Sequence, residues 1–69
     1  MPRIQWRQAD GQLIACKEKI KMLQENLDEF NVMMRDLFDD ALIMGCDEQQ
    51  IRDILHQAID QLSNPYQNQ

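Results

Sequence analysis

Few side chains in this sequence are equipped for chemistry. The 69 residues hold one histidine and two cysteines. His56 has Asp53 three residues before it and Asp60 four after it, a spacing that places an imidazole and two carboxylates on one helical face. Zinc takes three protein ligands in a catalytic site and four in a structural one. Neither cysteine is near His56 in sequence, so the trio reads as a surface histidine beside carboxylates, and no metal site is expected. Cys16 and Cys46 are separated mostly by one expected helix, about 45 Å at helical rise, which is too far for a bridge within one chain. Cys16 reads as a small core residue. Cys46 reads as a turn thiol whose neighbours Asp47 and Glu48 oppose a reactive thiolate. Free thiols fit a reducing cytoplasm, which is the expected location. No Gly-rich phosphate loop and no Ser-His-Asp arrangement is present. The expectation is a non-enzymatic protein with no catalytic residue, no cofactor and no small-molecule substrate.

The elements that would position these groups follow from hydrophobic period. Leu13, Cys16, Ile20, Leu23, Leu27, Phe30, Met34, Leu37, Ala41 and Met44 alternate spacings of three and four, an a/d heptad seam with no Gly or Pro inside it. This predicts a long helix over about 10–44. Gly45 supplies a left-handed stop, and Asp47 with Gln50 three residues on approximates a capping box for a second helix over about 47–63, carrying Ile51, Leu55, Ala58 and Leu62. Pro65 disfavours helix at Asn64. The expected organisation is an N-terminal arm at 1–9, a helical hairpin at 10–63 and a flexible tail at 64–69. A short second helix reaches only the later half of the first. The early seam would then lack a cover within the chain, and each large apolar side chain left in water forfeits about 1.5–3 kcal/mol relative to burial. A homodimeric four-helix bundle is therefore expected, with Leu13, Cys16, Ile20, Leu23, Leu27 and Phe30 at its interface.

Charge is unevenly spread. Met1 to Lys21 holds five bases and two acids, and Met22 to Gln69 holds two bases and ten acids, within a net charge of -5. An acidic body repels phosphate and suits basic protein surfaces, so nucleic acid is not the expected partner. No run of 18 apolar residues occurs and the start lacks an apolar signal core, so neither a membrane span nor a leader is expected. Asp36, Asp39 and Asp40 are candidates for engaging a basic surface. Arg35, Phe38, Met33 and Trp6 are candidates for hot-spot contacts, since aromatic, Arg and adaptable Met side chains concentrate binding energy.

Three resemblances bear on function. The length, the long-then-short helix plan from Leu13 to Leu62 and the acidic body are similar to small phage-encoded anti-activators. That resemblance implies binding to a bacterial regulator, quorum-sensing transcription factors among them, and a block on its DNA binding. The turn and second helix, Asp47-Glu48-Gln49 through Leu62, resemble the plasmid Rop family, which implies an RNA-binding dimer using the basic stripe Lys17, Lys19 and Lys21. His56-Gln57-Ala58-Ile59-Asp60 resembles the Ser-Gln-Glu-Leu-Asp motif of sporulation phosphatases acting on response regulators, and only Gln57 and Asp60 match it. The leading expectation is an interaction module that binds and inhibits a bacterial regulatory protein.

Overall fold

A computed structural model describes residues 4–66; Arg3 of the basic head and residues 67–69 of the expected tail lie outside them. The order is α1 (Lys17–Ile43) and α2 (Glu48–Asp60), with no strand among the described residues. The expected all-α plan of two helices holds. The chain divides into two compact units, Met1–Met34 and Arg35–Gln69. The unbroken helix α1 runs through the division.

In the first unit the chain does not enter the helix at 10. Residues 4–16 are irregular and fold back on themselves. Arg7 and Leu13 form an isolated antiparallel bridge, and the Ile14 amide donates to the Trp6 carbonyl at 2.9 Å. The turn between them is Asp10-Gly11. Gly11 has φ +92°, the Gln12 amide donates to Asp10 Oδ1 at 3.0 Å, and Arg7 Nη1 donates to the Gly11 carbonyl at 2.9 Å. Short Asx-Gly turns of this kind close antiparallel pairs because glycine takes positive φ without a Cβ penalty. Leu13 and Cys16 therefore lie outside α1, contrary to the seam assignment, and the expected arm at 1–9 extends instead to residue 16. Ile4, Trp6, Leu13 and Ile14 share one open apolar recess with Ile20 of α1. Ile20, Leu23 and Leu27 are half-buried in the single chain. The cover that the sequence appeared to lack, and that argued for a second copy, is thus supplied at Ile20 by the N-terminal segment.

The second unit contains the helical hairpin. α1 ends as Gly45 predicts: the Gly45 amide donates to the Leu42 carbonyl at 3.0 Å and the Cys46 amide to the Ala41 carbonyl at 2.9 Å, with Gly45 at φ +91°. This pair of bonds satisfies carbonyls that a helix end would leave open. Asp47 caps α2 by accepting the Gln50 amide at 2.8 Å. Ile51 is 4% exposed and is the buried residue among those described, with Phe38, Ala41 and Leu55 half-buried. The Arg52 guanidinium lies over the Phe38 ring at 5.0 Å and its Nε donates to Glu48 at 3.1 Å. α2 stops at Asp60, three residues short of expectation, where the Gln61 amide closes on Gln57 and that of Leu62 on Ile59. The Tyr66 amide donates to Asn64 Oδ1 at 2.8 Å.

Replacing Asp47 with Ala removes the α2 cap and is expected to lower stability by about 1 kcal/mol, while Asn retains most of it. The measurement is a fall in the urea midpoint at unchanged slope.

Candidate interaction surface

Two sides of α1 are apolar, and the chain treats them differently. The less exposed side runs Ile20, Leu23, Leu27 and Asn31 in the first unit and Phe38 and Ala41 in the second, with Met34 at the division. It departs from the heptad seam at two places. Asn31 and Phe38 are half-buried where the seam has Phe30 and Leu37, and both seam residues are half-exposed or more. A 3.5-residue seam drifts around a 3.6-residue helix, so a partner can follow the seam only by supercoiling. In the second unit Arg52 on α2 stacks on Phe38 and fixes which side of the helix faces the hairpin.

The candidate partner-binding residues consequently divide. At 3.6 residues per turn, Met33, Asp36 and Asp40 fall on or beside the side bearing Phe30 and Leu37, whereas Arg35 and Asp39 fall on the far side. Phe38 belongs to the covered side and has Arg52 over its ring. Trp6 is half-buried in the N-terminal segment, and its indole Nε1 is enclosed with no hydrogen-bond partner among the described residues. The expected interface set also divides: Ile20, Leu23 and Leu27 are half-buried, and Phe30 is exposed. Met44 lies just beyond α1 and is 82% exposed.

A second open recess in the first unit is lined by Ile4, Lys17, Ile20, Lys21, Gln24 and Glu25. It places two of the three basic-stripe lysines beside apolar side chains. Lys19 is not among its lining residues. On α2, His56 is exposed, and Asp53 accepts a hydrogen bond from Gln49 Nε2 at 3.0 Å. Gln57 and Asp60, the two matches to the phosphatase motif, are also exposed. No group of three or more His, Cys, Asp or Glu able to hold a metal ion occurs among the described residues, and no described helix is long and apolar enough to cross a membrane.

Cys16 is exposed, in contrast to the core position expected for it. Its carbonyl accepts the Ile20 amide at 3.1 Å, so it stands at the N-terminal boundary of α1. The backbone amides of Lys19 and then Glu18 favour its thiolate and hold the thiol below its usual pKa, opposed by burial and aided to a smaller extent by the Lys19 charge. Sequence reasoning missed this site because the seam pattern assigned Cys16 to the helix interior. The Asp10-Gly11 turn is the signal that could have ended the pattern earlier.

Comparison with known proteins finds no family model that matches the chain, no matching curated protein and no matching solved structure.

The Cys16 geometry gives a direct expectation for pH dependence. The thiolate fraction grows as pH rises through a depressed pKa, so alkylation of Cys16 by iodoacetamide should reach half its limiting rate below the pH required by an unstructured cysteine peptide. Peptide mapping across a pH series measures it, and an equal or higher midpoint would contradict the amide contacts.

Proposed function

We propose that this protein is a small non-enzymatic interaction module that binds a basic surface on a bacterial regulatory protein and blocks that regulator's access to DNA. The observation that carries this reading is the segregation of charge. Ten acids and two bases occupy Met22 to Gln69, and the carboxylates of α1 from Glu25 to Asp40 are on exposed residues. The arrangement is not explained by the helix itself. Lys17 and Lys19 stand in the first turn of α1, where the dipole disfavours cations and Glu18 alone is favourably placed, and Asp40 stands in the last turn, where anions are disfavoured; each such effect is about 0.3–1 kcal/mol. Charge held against the helix dipole is accounted for by an external partner of opposite sign, which gains encounter rate and specificity from it. The identity of that partner as a bacterial regulator follows the likeness in size, helix plan and charge to phage anti-activators. A location in the cytoplasm belongs to the same reading.

A homodimeric four-helix bundle is not needed in this reading to cover Ile20, Leu23 and Leu27, which are half-buried in one chain while Leu13 and Cys16 stay exposed. The binding form we propose is the monomer, and sedimentation equilibrium at micromolar concentration should return 8.2 kDa; a species of twice that mass that persists on dilution would restore the dimer.

Affinity capture from a bacterial lysate, with and without nuclease, tests the main reading. The expected result is retention of a DNA-binding protein that survives nuclease, weakens at high salt and is lost with the combined change Asp36→Asn, Asp39→Asn and Asp40→Asn. The captured regulator should then lose its operator band in a mobility-shift assay when this protein is added. Nuclease-sensitive retention that depends on Lys17, Lys19 and Lys21 would replace this reading with RNA binding.

A further inference from the structure

α1 carries an uncovered apolar stripe with a one-sided acidic edge. In the first unit Met22, Phe30 and Met33 are 61%, 49% and 70% exposed. With Asn26 they are spaced four, four and three along α1, which is the repeat of a single helical side. Glu18, Glu25 and Glu29 are spaced seven and four, and they line one edge of that stripe. All three are on exposed residues of the first unit. Of the cations of α1, Lys17, Lys21 and Arg35 fall on the far side of the helix, and Lys19 stands at the start of the stripe.

We propose that this stripe is the docking surface for one amphipathic helix of a basic partner protein, laid along the first-unit part of α1 with its apolar side on Met22, Phe30 and Met33 and its Lys and Arg side chains against the acidic edge. This rests on the reading of the protein as an acidic interaction module and names the form its partner takes. The occupant is fixed by three features. The apolar side chains recur at helical spacing, which matches i, i+3, i+4 and i+7 anchors on a facing helix. Two of the three are methionines, whose unbranched chains adapt to whatever the partner inserts. The edge is of one sign, so a partner gains by carrying the opposite one. A second copy is the poorer fit. An antiparallel pair of these stripes would set the acidic edge against itself, and a parallel pair would set Lys19 beside Lys19.

The test uses the full chain and a fluorescein-labelled 18-residue peptide of leucine and lysine with leucines at i, i+3, i+4 and i+7. Two controls are a scrambled peptide of equal composition and a leucine–glutamate peptide of the same pattern. Fluorescence anisotropy should show saturable binding of the patterned basic peptide alone. Met22→Ser and Met33→Ser should each weaken it by about tenfold, and the pair Glu25→Gln with Glu29→Gln should weaken it and flatten its salt dependence. Ile54→Ser, a comparably exposed apolar position on α2, should leave binding unchanged. Circular dichroism establishes that each variant is folded. Equal binding of the scrambled peptide, or equal loss with Ile54→Ser, would overturn the proposal. So would a two-copy complex that Met33→Ser dissociates and the peptide does not displace. Regulator capture that persists in Met22→Ser and Met33→Ser but is lost in the Asp36, Asp39 and Asp40 variant would leave the acidic-module reading standing and reject the stripe.

Discussion

One helix in this protein has two apolar sides, and the rest of the chain conceals only one of them. Every other feature follows from that shortage of cover. Ile20, Leu23 and Leu27 lose part of their exposure in the first unit, where Ile4, Trp6 and Ile14 come to Ile20. Phe38 and Ala41 lose theirs in the second unit, where α2 supplies Ile51, Leu55 and the Arg52 cation. Met22, Phe30, Met33 and Leu37 receive no equivalent cover. A chain of this length buries a smaller fraction of its surface than a larger domain does, and Ile51 alone passes into full burial among the described residues. Exposed apolar side chains scattered singly mean little on a protein surface. Exposed apolar side chains repeating along one helical side form a contiguous patch, and such patches mark contact with other molecules.

Charge and shape act on the same helix. Its first lysines, Lys17 and Lys19, stand at the end where the peptide dipoles repel cations, and Asp40 stands near the end where they repel anions. The helix tolerates this because each exposed charge is well solvated and the individual terms are small. The hairpin compensates locally with fixed geometry: two amide bonds at Gly45 and Cys46 close α1, and Asp47 caps α2. The local ends are strong while the long surface between them stays available.

Legibility from the sequence tracked the range of the interaction responsible. Gly45, Asp47 and the stop before Pro65 act within a few residues, and each appeared in the structure at or near the position read for it. The start of α1 did not. Leu13 and Cys16 continue the spacing of three and four by position alone, and a periodic pattern carries no record of where the backbone first becomes helical. The Asp10-Gly11 turn with its Asx bond and the Arg7–Leu13 bridge decide that instead. Trp6 was legible as an anchor candidate but not as a partly enclosed one, since what surrounds it depends on the chain folding back at Gly11.

The sequence by itself determined the all-α class, the position of the turn, the capping of the second helix and the separation of a basic head from an acidic body. These depend on backbone preference, local hydrogen bonds and composition, all of which are written residue by residue. The tertiary structure decided which of two apolar sides of α1 is covered. A hydrophobic period identifies a helix that must be covered without saying by what, because burial is non-directional and any apolar neighbour satisfies it. Once the N-terminal segment lies against Ile20 and Arg52 lies over Phe38, the side bearing Phe30, Met33 and Leu37 is the one left over.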